Sequence, residues 1–578
     1  MSNASRLSPS GSTAPVVPDQ AALDRAIGEL RDGAARWAGL GHTERAALFA
    51  ATHAAIVPVA REWAELAARA KRLPLDSQLV GEEWMSGPYA ALAGAATFAN
   101  AYRALAAGGT TIDGLRFRTA PGGRIRTRIL PDSAQQWVLF HGFSADIWLE
   151  PGITEAQARH DAGLGAATPG ENGGVGLVLG AGNISAIAPL DAFSELAAHN
   201  RASLIKLNPT FASLLPVYRT ALAPLIDAGV VRVVTGDGAV GGYLAQHPGI
   251  DTVHITGSAV THDAIVWGTG AEAGERRAAG QPKLTKPITS ELGGVAPVIV
   301  VPGKWTKRDL AFQAEHVVTM RLHNGGHNCI AGQIVILSAD WAQKDAFLAE
   351  LEAAFARLPE RAPWYPGSEA KIARALDAHP DAKRVAGRYL AEVAADGTDE
   401  WCTEEAFAPV LGWTQLPGTG TDFFRSAVGY ANDHLAGTLG GNIIVQPKDR
   451  RAMGIAFEEI VAEFRYGTVA INAWTAVGFL LPAATWGAYP GNTLEDVGSG
   501  IGVVHNGHLL ADTERTVVTG PFRAFPHSIL HGEFSLFPMP PWFVQSRSAA
   551  PTGERLTDYA AKPGWGRLAK VLLAAFRA

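Results

Sequence analysis

Two short strings, SELGG at residues 290–294 and NGGHNC at residues 324–329, decide how this sequence is interpreted. The first puts a carboxylate, Glu291, before two glycines, and the second puts Cys329 in a run of small and polar residues. A nucleophilic thiol and a separate carboxylate base are the minimum for covalent catalysis followed by hydrolysis. A buried inert cysteine and a solvated turn glutamate are the structural alternatives.

Composition and charge narrow the class of protein. With 578 residues, of which 47% are hydrophobic and 18% charged, the chain is expected to form two to four globular domains. Its net charge is -6 and its charges are mixed in sign, so no basic stripe for nucleic acid is present. No uncharged apolar run reaches the roughly 20 residues of a membrane-spanning helix. Neither a nucleic-acid partner nor a transmembrane segment is therefore expected.

Cysteine use and the N-terminus bear on location. The two cysteines, Cys329 and Cys402, are too few for a disulfide framework, and their spacing matches no zinc motif. No metal site is expected, and a reducing, cytoplasmic setting fits best. Residues 1–19 have neither the basic nor the apolar region of a signal peptide, so a disordered N-terminus is predicted.

The long middle of the chain has the pattern of an α/β protein. Apolar residues recur at helical spacing in residues 20–109. Residues 170–293 alternate apolar strands with amphipathic helices, one of them predicted over 212–229, and a second such series fills 294–485. This pattern predicts doubly wound parallel sheets whose ligand sites lie beyond the carboxyl ends of the strands.

Between the helices and the first α/β series, residues 110–169 have a different pattern. Short alternating runs at 110–119, 123–130 and 135–143 are separated by turn sequences rich in Pro and Gly. Alternation of this kind predicts a hairpin or a small sheet, followed by a connector.

The end of the chain is expected to be irregular from about residue 506. It closes on an amphipathic helix over 564–578, which we expect to pack against the body or a neighbouring subunit. A membrane-surface anchor is the alternative interpretation of this short, weakly basic helix.

Ordered strings along the chain carry a resemblance to the aldehyde dehydrogenase superfamily. In that superfamily a glutamate in an E-L-G-G string precedes the catalytic cysteine, as Glu291 precedes Cys329 here by 38 residues. ITGS at 255–258 resembles F-T-G-S, EEAFAPV at 404–410 resembles E-E-x-F-G-P-V, and YGTVAIN at 466–472 is similar to a late Y-G-T-V-x-I-N strand. The chain is identified as a divergent member with a C-terminal extension.

The resemblance implies an architecture and an assembly. It implies a Rossmann-type NAD(P)-binding domain over 20–109 and 170–293, and an α/β catalytic domain over 294–485. It further implies a β-hairpin oligomerisation element over 110–169, joined by a C-terminal oligomerisation and extension segment over 486–578. Relatives are dimers or tetramers, so a homodimer or homotetramer is expected.

Three residues receive catalytic roles from the resemblance. Cys329 attacks the aldehyde carbonyl, and Asn183 steadies the oxyanion with its side-chain amide, a neutral donor suited to developing negative charge. Glu291 directs water onto the acyl-enzyme. Helix N-terminal or other N–H groups are expected to lower the thiol pKa. His327 replaces the usual glutamine and is expected to be structural rather than a helper.

The cofactor is expected to be NAD or NADP. Pro209 stands where relatives carry a glutamate that favours NAD, so the choice between the two stays open. Residues 268–282 are expected to form an inserted loop. The residues assigned to the cofactor are Lys206, Gly257, Ser258, Glu405 and Phe407.

The predicted reaction is NAD(P)-dependent oxidation of an aldehyde to a carboxylic acid through a thiohemiacetal and a thioester. Two alternatives stay open. The string AGN at 181–183 resembles acyl-CoA reductases, which suggests an acylating dehydrogenase or an acyl-CoA or acyl-phosphate reductase, although Glu291 argues against it. The motif departures also allow a catalytically silent binding or structural protein of the same fold.

Overall fold

Parallel strands separated by helices build two large sheets, as the alternating sequence pattern predicts. The computed structural model describes residues 19–171 and 173–577. The predicted disordered segment 1–19 lies outside this range except for Asp19, which caps the first helix by accepting from the Ala22 N–H.

Nineteen strands occur in the described chain. In chain order they are β1 (Phe117–Ala120), β2 (Arg124–Leu130), β3 (Ser144–Leu149), β4 (Gly174–Leu179), β5 (Arg201–Lys206), β6 (Val231–Val234), β7 (Thr252–Gly257), β8 (Ile288–Leu292), β9 (Ala296–Val300), β10 (Gly332–Ser338), β11 (Lys383–Val385), β12 (Arg388–Glu392), β13 (Val410–Leu416), β14 (Gly440–Ile444), β15 (Thr468–Ile471), β16 (Thr485–Gly487), β17 (Gly500–Ile501), β18 (Val503–His505) and β19 (Thr513–Thr519).

Helices connect and cover these strands. The α-helices are α1 (Gln20–Gly39), α2 (His42–Ala70), α3 (Val80–Trp84), α4 (Ala90–Ala106), α5 (Ala134–Leu139), α6 (Glu155–His160), α7 (Leu164–Ala167), α8 (Ile187–His199), α9 (Leu215–Ala221), α10 (Ala223–Asp227), α11 (Gly238–Gln246), α12 (Ala259–Val266), α13 (Ala271–Ala278), α14 (Lys307–Leu322), α15 (Lys344–Arg357), α16 (Ser368–Ala378), α17 (Glu400–Thr403), α18 (Gly420–His434), α19 (Pro447–Met453), α20 (Ile455–Glu463), α21 (Ala476–Phe479), α22 (Ala549–Ala561) and α23 (Trp565–Ala575). Three 3-10 helices (Pro209–Leu214, His323–Gly326, His527–His531) and a π-helical turn (Met85–Tyr89) are also present.

The first sheet has six strands in the order β17-β8-β7-β4-β5-β6. All pairs are parallel except β17 with β8, where Gly500 lies opposite Glu291. Strand β4 leads into the buried helix α8 and then into β5, which is the predicted strand–helix–strand unit. Because neighbouring parallel strands end at the same edge, this sheet brings together the ends of β4, β5 and β7.

The second sheet has eleven strands in the order β1-β2-β3-β19-β15-β14-β9-β10-β13-β12-β11. Strands β19 to β12 form its parallel part, and β1, β2 and β3 add to β19 in antiparallel pairs. The hairpin and the second α/β series therefore form one continuous sheet within this chain. The predicted domain boundaries and the homo-oligomer stay predictions.

One predicted strand is a helix. Residues 135–143 were expected to alternate as a strand, but residues 134–139 form α5, and the third strand of the small sheet is β3. Ser133 explains the difference, because its side chain accepts from the Gln136 N–H and caps α5.

Other expectations on local structure also need correction. The segment over 212–229 is not one helix but two short ones, α9 and α10, with Pro216 and Pro224 near their starts. The expected loop over 268–282 contains the exposed helix α13. The expected irregular tail contains β19, which pairs with β3 and β15 inside the large sheet.

The last helix packs against its own chain, as predicted. In α23 the side chains of Leu568 and Val571 are buried in a cluster with Leu556 of α22 and Met85. No helix within residues 19–171 and 173–577 is long and apolar enough to cross a membrane.

Candidate active site

The predicted site residues lie along one edge of the six-stranded sheet. Asn183 follows β4, Lys206 ends β5, Gly257 ends β7 and Glu291 lies in β8. Asn183, Lys206 and Glu291 have polar side chains in a region of apolar strands, which is the usual arrangement of a ligand site at strand ends.

The loop before Cys329 has an unusual backbone that aims the thiol at this edge. Asn324, Gly325 and Gly326 have φ values of 58°, 70° and 85°, a left-handed run that glycine tolerates. At Gly326 a Cβ atom would lie 2.8 Å from the carbonyl of Ala408, so no larger residue fits without a shift. After Cys329 the chain turns directly into β10.

Asparagine side chains fix this loop to the end of β4. The Asn183 Nδ2 atom donates to the carbonyl of His327 at 3.0 Å. In return, Asn324 Nδ2 donates to the carbonyl of Asn183 at 3.1 Å and to that of His327 at 3.0 Å. Asn183 and Cys329 line the same cavity of about 610 Å³. The amide predicted to hold the oxyanion therefore lies beside the predicted nucleophile.

Glu291 faces Cys329 from the strand of the E-L-G-G string. The carboxyl group is close enough to the thiol to raise the pKa of Cys329, and Trp486 Nε1 donates to Glu291 Oε1 at 3.3 Å. Glu291 is only 3% exposed, and burial raises its pKa to about 7. A carboxylate whose pKa lies near neutrality can accept and release a proton under physiological conditions.

The expectation of a lowered thiol pKa is wrong in this structure. Burial, together with the nearby carboxyl groups of Glu291 and Glu405, raises the pKa of Cys329 well above its ordinary value. The N–H of Cys329 itself acts in the opposite direction but is outweighed. The physical reason is that Cys329 precedes a strand and not a helix, so its own segment offers no helix N-terminus to the sulfur. The thiol therefore depends on Glu291 as a base.

His327 is structural, as the sequence favours. Its ring is fully buried, and burial lowers its pKa to about 3, so it is neutral near pH 7. Nδ1 lies 2.8 Å from the carbonyl of Phe407, to which a neutral ring donates. This bond ties the nucleophile loop to the E-E-x-F segment.

Glu405 lies against the two glycines of the E-L-G-G string. A Cβ atom on Gly293 would lie 2.1 Å from Glu405 Oε1, and the Gly294 N–H donates to the Glu405 carboxyl group. Burial raises the pKa of Glu405 to about 7, and Oε1 is a buried atom without a hydrogen-bond partner. An unpaired buried acceptor at this point suits a ligand that brings hydroxyl donors. The residues here therefore fit a ribose-bearing cofactor.

The other residues assigned to the cofactor are spread along the cleft. Phe407 has a backbone φ of 43°. Its ring makes an edge-to-face contact with Tyr365, with ring centres 4.9 Å apart, and Lys371 Nζ lies 5.1 Å from the centre of the Phe407 ring. Lys206 is 8% exposed, and burial lowers its pKa, an effect that the charge of Asp237 opposes. Both sit where a dinucleotide crossing the strand ends would lie.

Gly257 and Ser258 form the turn between β7 and α12. The Ser258 hydroxyl accepts from the Thr261 N–H at 3.2 Å and thereby caps the helix. Both residues are outside the protein core. Pro209 begins a 3-10 helix after β5, so no carboxylate occupies that position.

Comparisons with known proteins agree with this geometry. Residues 194–371 match the sequence model of the aldehyde dehydrogenase family. Solved structures with the same fold include aldehyde dehydrogenase C of Pseudomonas syringae with NAD+ and octanal, at 21% identity and a TM-score of 0.58, covering 87% of this chain and 89% of that chain. The fold is that of the aldehyde dehydrogenase superfamily.

Two further aldehyde dehydrogenase structures match to a similar extent. The gamma-glutamyl-gamma-aminobutyraldehyde dehydrogenase of Burkholderia cenocepacia J2315 has 21% identity and a TM-score of 0.57, covering 87% of this chain and 89% of its own. The NADP-dependent glyceraldehyde-3-phosphate dehydrogenase of Bacillus halodurans C-125, solved with NADP, has 21% identity and a TM-score of 0.56, covering 87% and 92%. The predicted α/β aldehyde dehydrogenase-like fold is thereby confirmed.

Within this aldehyde dehydrogenase fold, sequence reasoning missed the groups behind Glu291. Asp191 of α8 and His254 of β7 are both buried, with Asp191 Oδ2 3.5 Å from His254 Nε2. The Thr256 hydroxyl donates to Asp191 at 3.0 Å. Although burial opposes it, Asp191 raises the pKa of His254. Asp191 and His254 could have been found from the sequence, because each is a polar residue in the middle of an element predicted to be buried.

Trp486 and Glu82 were also missed. Trp486 reaches Glu291 from β16, and Glu82 lines the cavity of Cys329 while bound to Arg361 at 3.0 Å. Cys402 is buried against Tyr430, its Sγ 3.5 Å from the hydroxyl, away from the cavity. Among the residues that the structure describes, no cluster of three or more His, Cys, Asp or Glu side chains is arranged to hold a metal ion.

Proposed function

We propose that this protein oxidises an aldehyde to a carboxylic acid with NAD or NADP, through a covalent thioester on Cys329. The observation that carries the proposal is that the buried carboxyl group of Glu291 lies close enough to the Cys329 thiol for each group to shift the pKa of the other or be shifted by it, on the same sheet edge as Asn183. An acid–base group with a pKa of about 7 in contact with a thiol is the arrangement that covalent catalysis needs.

The first step is attack on the aldehyde. The Glu291 carboxylate accepts the thiol proton as the sulfur bonds to the carbonyl carbon, which gives a thiohemiacetal. The aldehyde oxygen takes up the electron pair of the broken π bond. Asn183 Nδ2 and the N–H of Cys329 are the donors available to this oxygen, and such donors contribute about 2.7–4 kcal/mol each to similar reactions.

The oxidation needs a nicotinamide cofactor. Glu405, Lys206 and the Gly257–Ser258 turn would hold it, and Phe407 would support the ring. When bound, the nicotinamide supplies the hydride acceptor that turns the thiohemiacetal into a thioester. Co-crystallised NAD+ or NADP in proteins of the same fold supports this choice. No carboxylate stands at Pro209 to repel a 2′-phosphate, so both cofactors are allowed.

Hydrolysis then releases the product. Glu291 first releases the proton taken from the thiol to solvent. Its carboxylate then accepts a proton from water as the water oxygen bonds to the thioester carbon, and the C–S bond breaks to give the carboxylic acid. The proton returns to the sulfur. Asp191 and His254, buried behind the strand of Glu291, set the field in which this carboxyl group gains and loses its proton.

The test is reduction of NAD or NADP by a panel of aldehydes, with and without coenzyme A. We expect NADH or NADPH formation without coenzyme A, and a carboxylic acid product. Strict dependence on coenzyme A would favour the acylating alternative. No turnover of any aldehyde, together with no nucleotide binding in calorimetry, would leave a silent protein of this fold.

A further inference from the structure

A second, larger cavity adjoins the one that holds Cys329. Counting the space that is open to solvent, it spans about 990 Å³, compared with about 610 Å³ around the thiol. Four side chains line both cavities, namely Met85, Val477, Leu480 and Trp542. We call the larger space the tail chamber. These four side chains join the wall of the tail chamber to the wall of the cavity that holds the reactive sulfur.

The lining of the tail chamber is almost entirely apolar. Phe143, Phe312, Phe543 and Leu556 contribute to its wall. Phe543 stacks on Phe312 at 5.4 Å and on His316 at 5.1 Å, and burial lowers the pKa of His316 to about 3, so this ring carries no charge near pH 7. No Lys, Arg, Asp or Glu lines the chamber. A charged substrate would lose its hydration there without meeting a residue of opposite charge.

The C-terminal extension builds this chamber. Half of the lining side chains come from residues 521–575, which follow the last strand of the sheet. Among them, Ala524 precedes a 3-10 helix and Ala575 lies on α23. Beside the wall, His141 and Phe537 contact the exposed rings of Phe534 and Phe576. The extension therefore adds apolar surface at the far end of the reactive cavity.

We infer that the substrate is an aldehyde with a long, unbranched hydrocarbon tail, and that the tail lies in this chamber. The inference rests on the proposed oxidation at Cys329. The aldehyde group occupies the smaller cavity between Asn183 and Cys329, and the tail passes Met85 and Trp542. Methionine side chains adapt their shape and suit the passage of a flexible chain. The extension thus determines chain-length specificity.

Kinetics on saturated aldehydes from butanal to dodecanal tests the inference. Burying one methylene group contributes about 0.8 kcal/mol, so kcat/KM is expected to rise about fourfold per added methylene until the chamber is filled. Equal kcat/KM for butanal and decanal would overturn the chamber as a tail site but leave the proposed oxidation intact. Failure to turn over any aldehyde would instead count against the proposed function.

Two variants that fill the chamber give an independent test. A575F and A524F each project a ring into it from different elements, and we expect the decanal-to-butanal ratio of kcat/KM to fall at least tenfold. A574F is the matched control, since Ala574 lies on the same helix but lines neither cavity. An unchanged ratio in both folded filling variants would contradict the inference.

Ligand binding is measured separately from turnover. Calorimetric titration with 1-decanol and 1-butanol probes the chamber in the full chain without any reaction. We expect binding of 1-decanol that is weakened at least tenfold by A575F or A524F but not by A574F, with thermal melting confirming that each variant is folded. Equal affinity of the wild-type protein for the two alcohols would overturn the inference even if no aldehyde is oxidised.

Discussion

Buried carboxylates occur in two contrasting settings in this molecule. Glu291 and Glu405 lie in the cleft with few donors, and burial raises the pKa of each to about 7. Asp309, at the start of α14, is also buried but accepts from the Thr306 N–H at 2.9 Å and from Arg523 Nη1 at 2.5 Å. These bonds outweigh burial and lower the pKa of Asp309.

The contrast teaches that burial alone does not determine what a carboxyl group does. Where donors surround it, the group stays ionised and holds elements together. Where donors are missing, the pKa of the carboxyl group rises towards neutrality. Both protonation states are then accessible, and the group is available for proton transfer or for binding a ligand. The four predictions below alter one setting or the other.

The largest effect is expected from E291Q. Glutamine cannot accept a proton, so both the attack by the Cys329 thiol and the hydrolysis of the thioester lose their base, and kcat in steady-state kinetics should fall by about 10²–10⁴-fold. The wild-type kcat/KM should rise with pH up to about 7, where Glu291 loses its proton. The exposed Glu275 provides the control E275Q. Wild-type activity in E291Q would contradict the assignment.

Removing the charge of Asp309, which is paired with Arg523, should lower the stability of the fold and not the catalytic rate. D309N leaves the guanidinium of Arg523, which is 6% exposed, without its charged partner. Breaking a buried pair of this kind costs about 3–5 kcal/mol, so the free energy of unfolding in urea should fall by about 3 kcal/mol. Turnover per folded molecule should be retained. D377N, on the exposed face of α16, is the control, and equal stability of the two variants would refute the contrast.

The two settings should also respond to pH with opposite signs. The folded pKa of Glu405 is raised from 4.5 to about 7, so the stability it contributes is present at low pH and is lost as pH rises between these values. E405Q should therefore gain roughly 2 kcal/mol relative to wild type between pH 5 and pH 8. D309N should show no such gain, because the lowered pKa of Asp309 gives stability that is lost only on acidification. Melting temperatures at both pH values measure this.

The smallest effect is expected from a substitution at Gly293, where the absence of a side chain lets the Glu405 carboxyl group approach the backbone. In G293A the new methyl group would meet Glu405 Oε1 at 2.1 Å and displace the carboxyl group. We expect the KM for NAD or NADP to rise about tenfold, which corresponds to about 1.4 kcal/mol. In G429A, within α18, nothing lies within 4 Å of the added atom. A KM that changes equally in both variants would show that the Glu405 contact is irrelevant.

The parallel strands were predictable because they are continuous apolar runs. β9 and β10 are buried at every residue, and their central residues, 297–300 and 334–337, are all apolar. β19 was missed for the opposite reason. Its Glu514 and Arg515 are buried, and Glu514 is bound by Arg124 at 2.7 Å from a distant strand. A strand whose charges are neutralised by remote partners has the sequence pattern of a loop.

The candidate site was predictable in its reactive residues but not in its environment. Cys329 and Glu291 stand in strings that mark them, and the structure brings them into contact. Trp486 and the Asp191–His254 pair come from elements far apart in sequence. None of these three residues lies in a sequence motif that would mark it as part of the site. The direction of the thiol pKa shift was mispredicted. It depends on burial and on two carboxyl groups that only the fold brings near the sulfur.

The late position of β17 and Trp486 has a consequence for biosynthesis. Gly500 pairs with Glu291, and Trp486 donates to its carboxyl group, yet both are made long after Cys329 leaves the ribosome. At ordinary rates of translation this interval lasts on the order of 10–30 s. During this interval the nascent polypeptide contains Cys329 and Glu291 but not yet Trp486 and Gly500, which contact Glu291 in the folded protein. The environment that holds Glu291 beside Cys329 is therefore completed only after Trp486 and Gly500 have been synthesised.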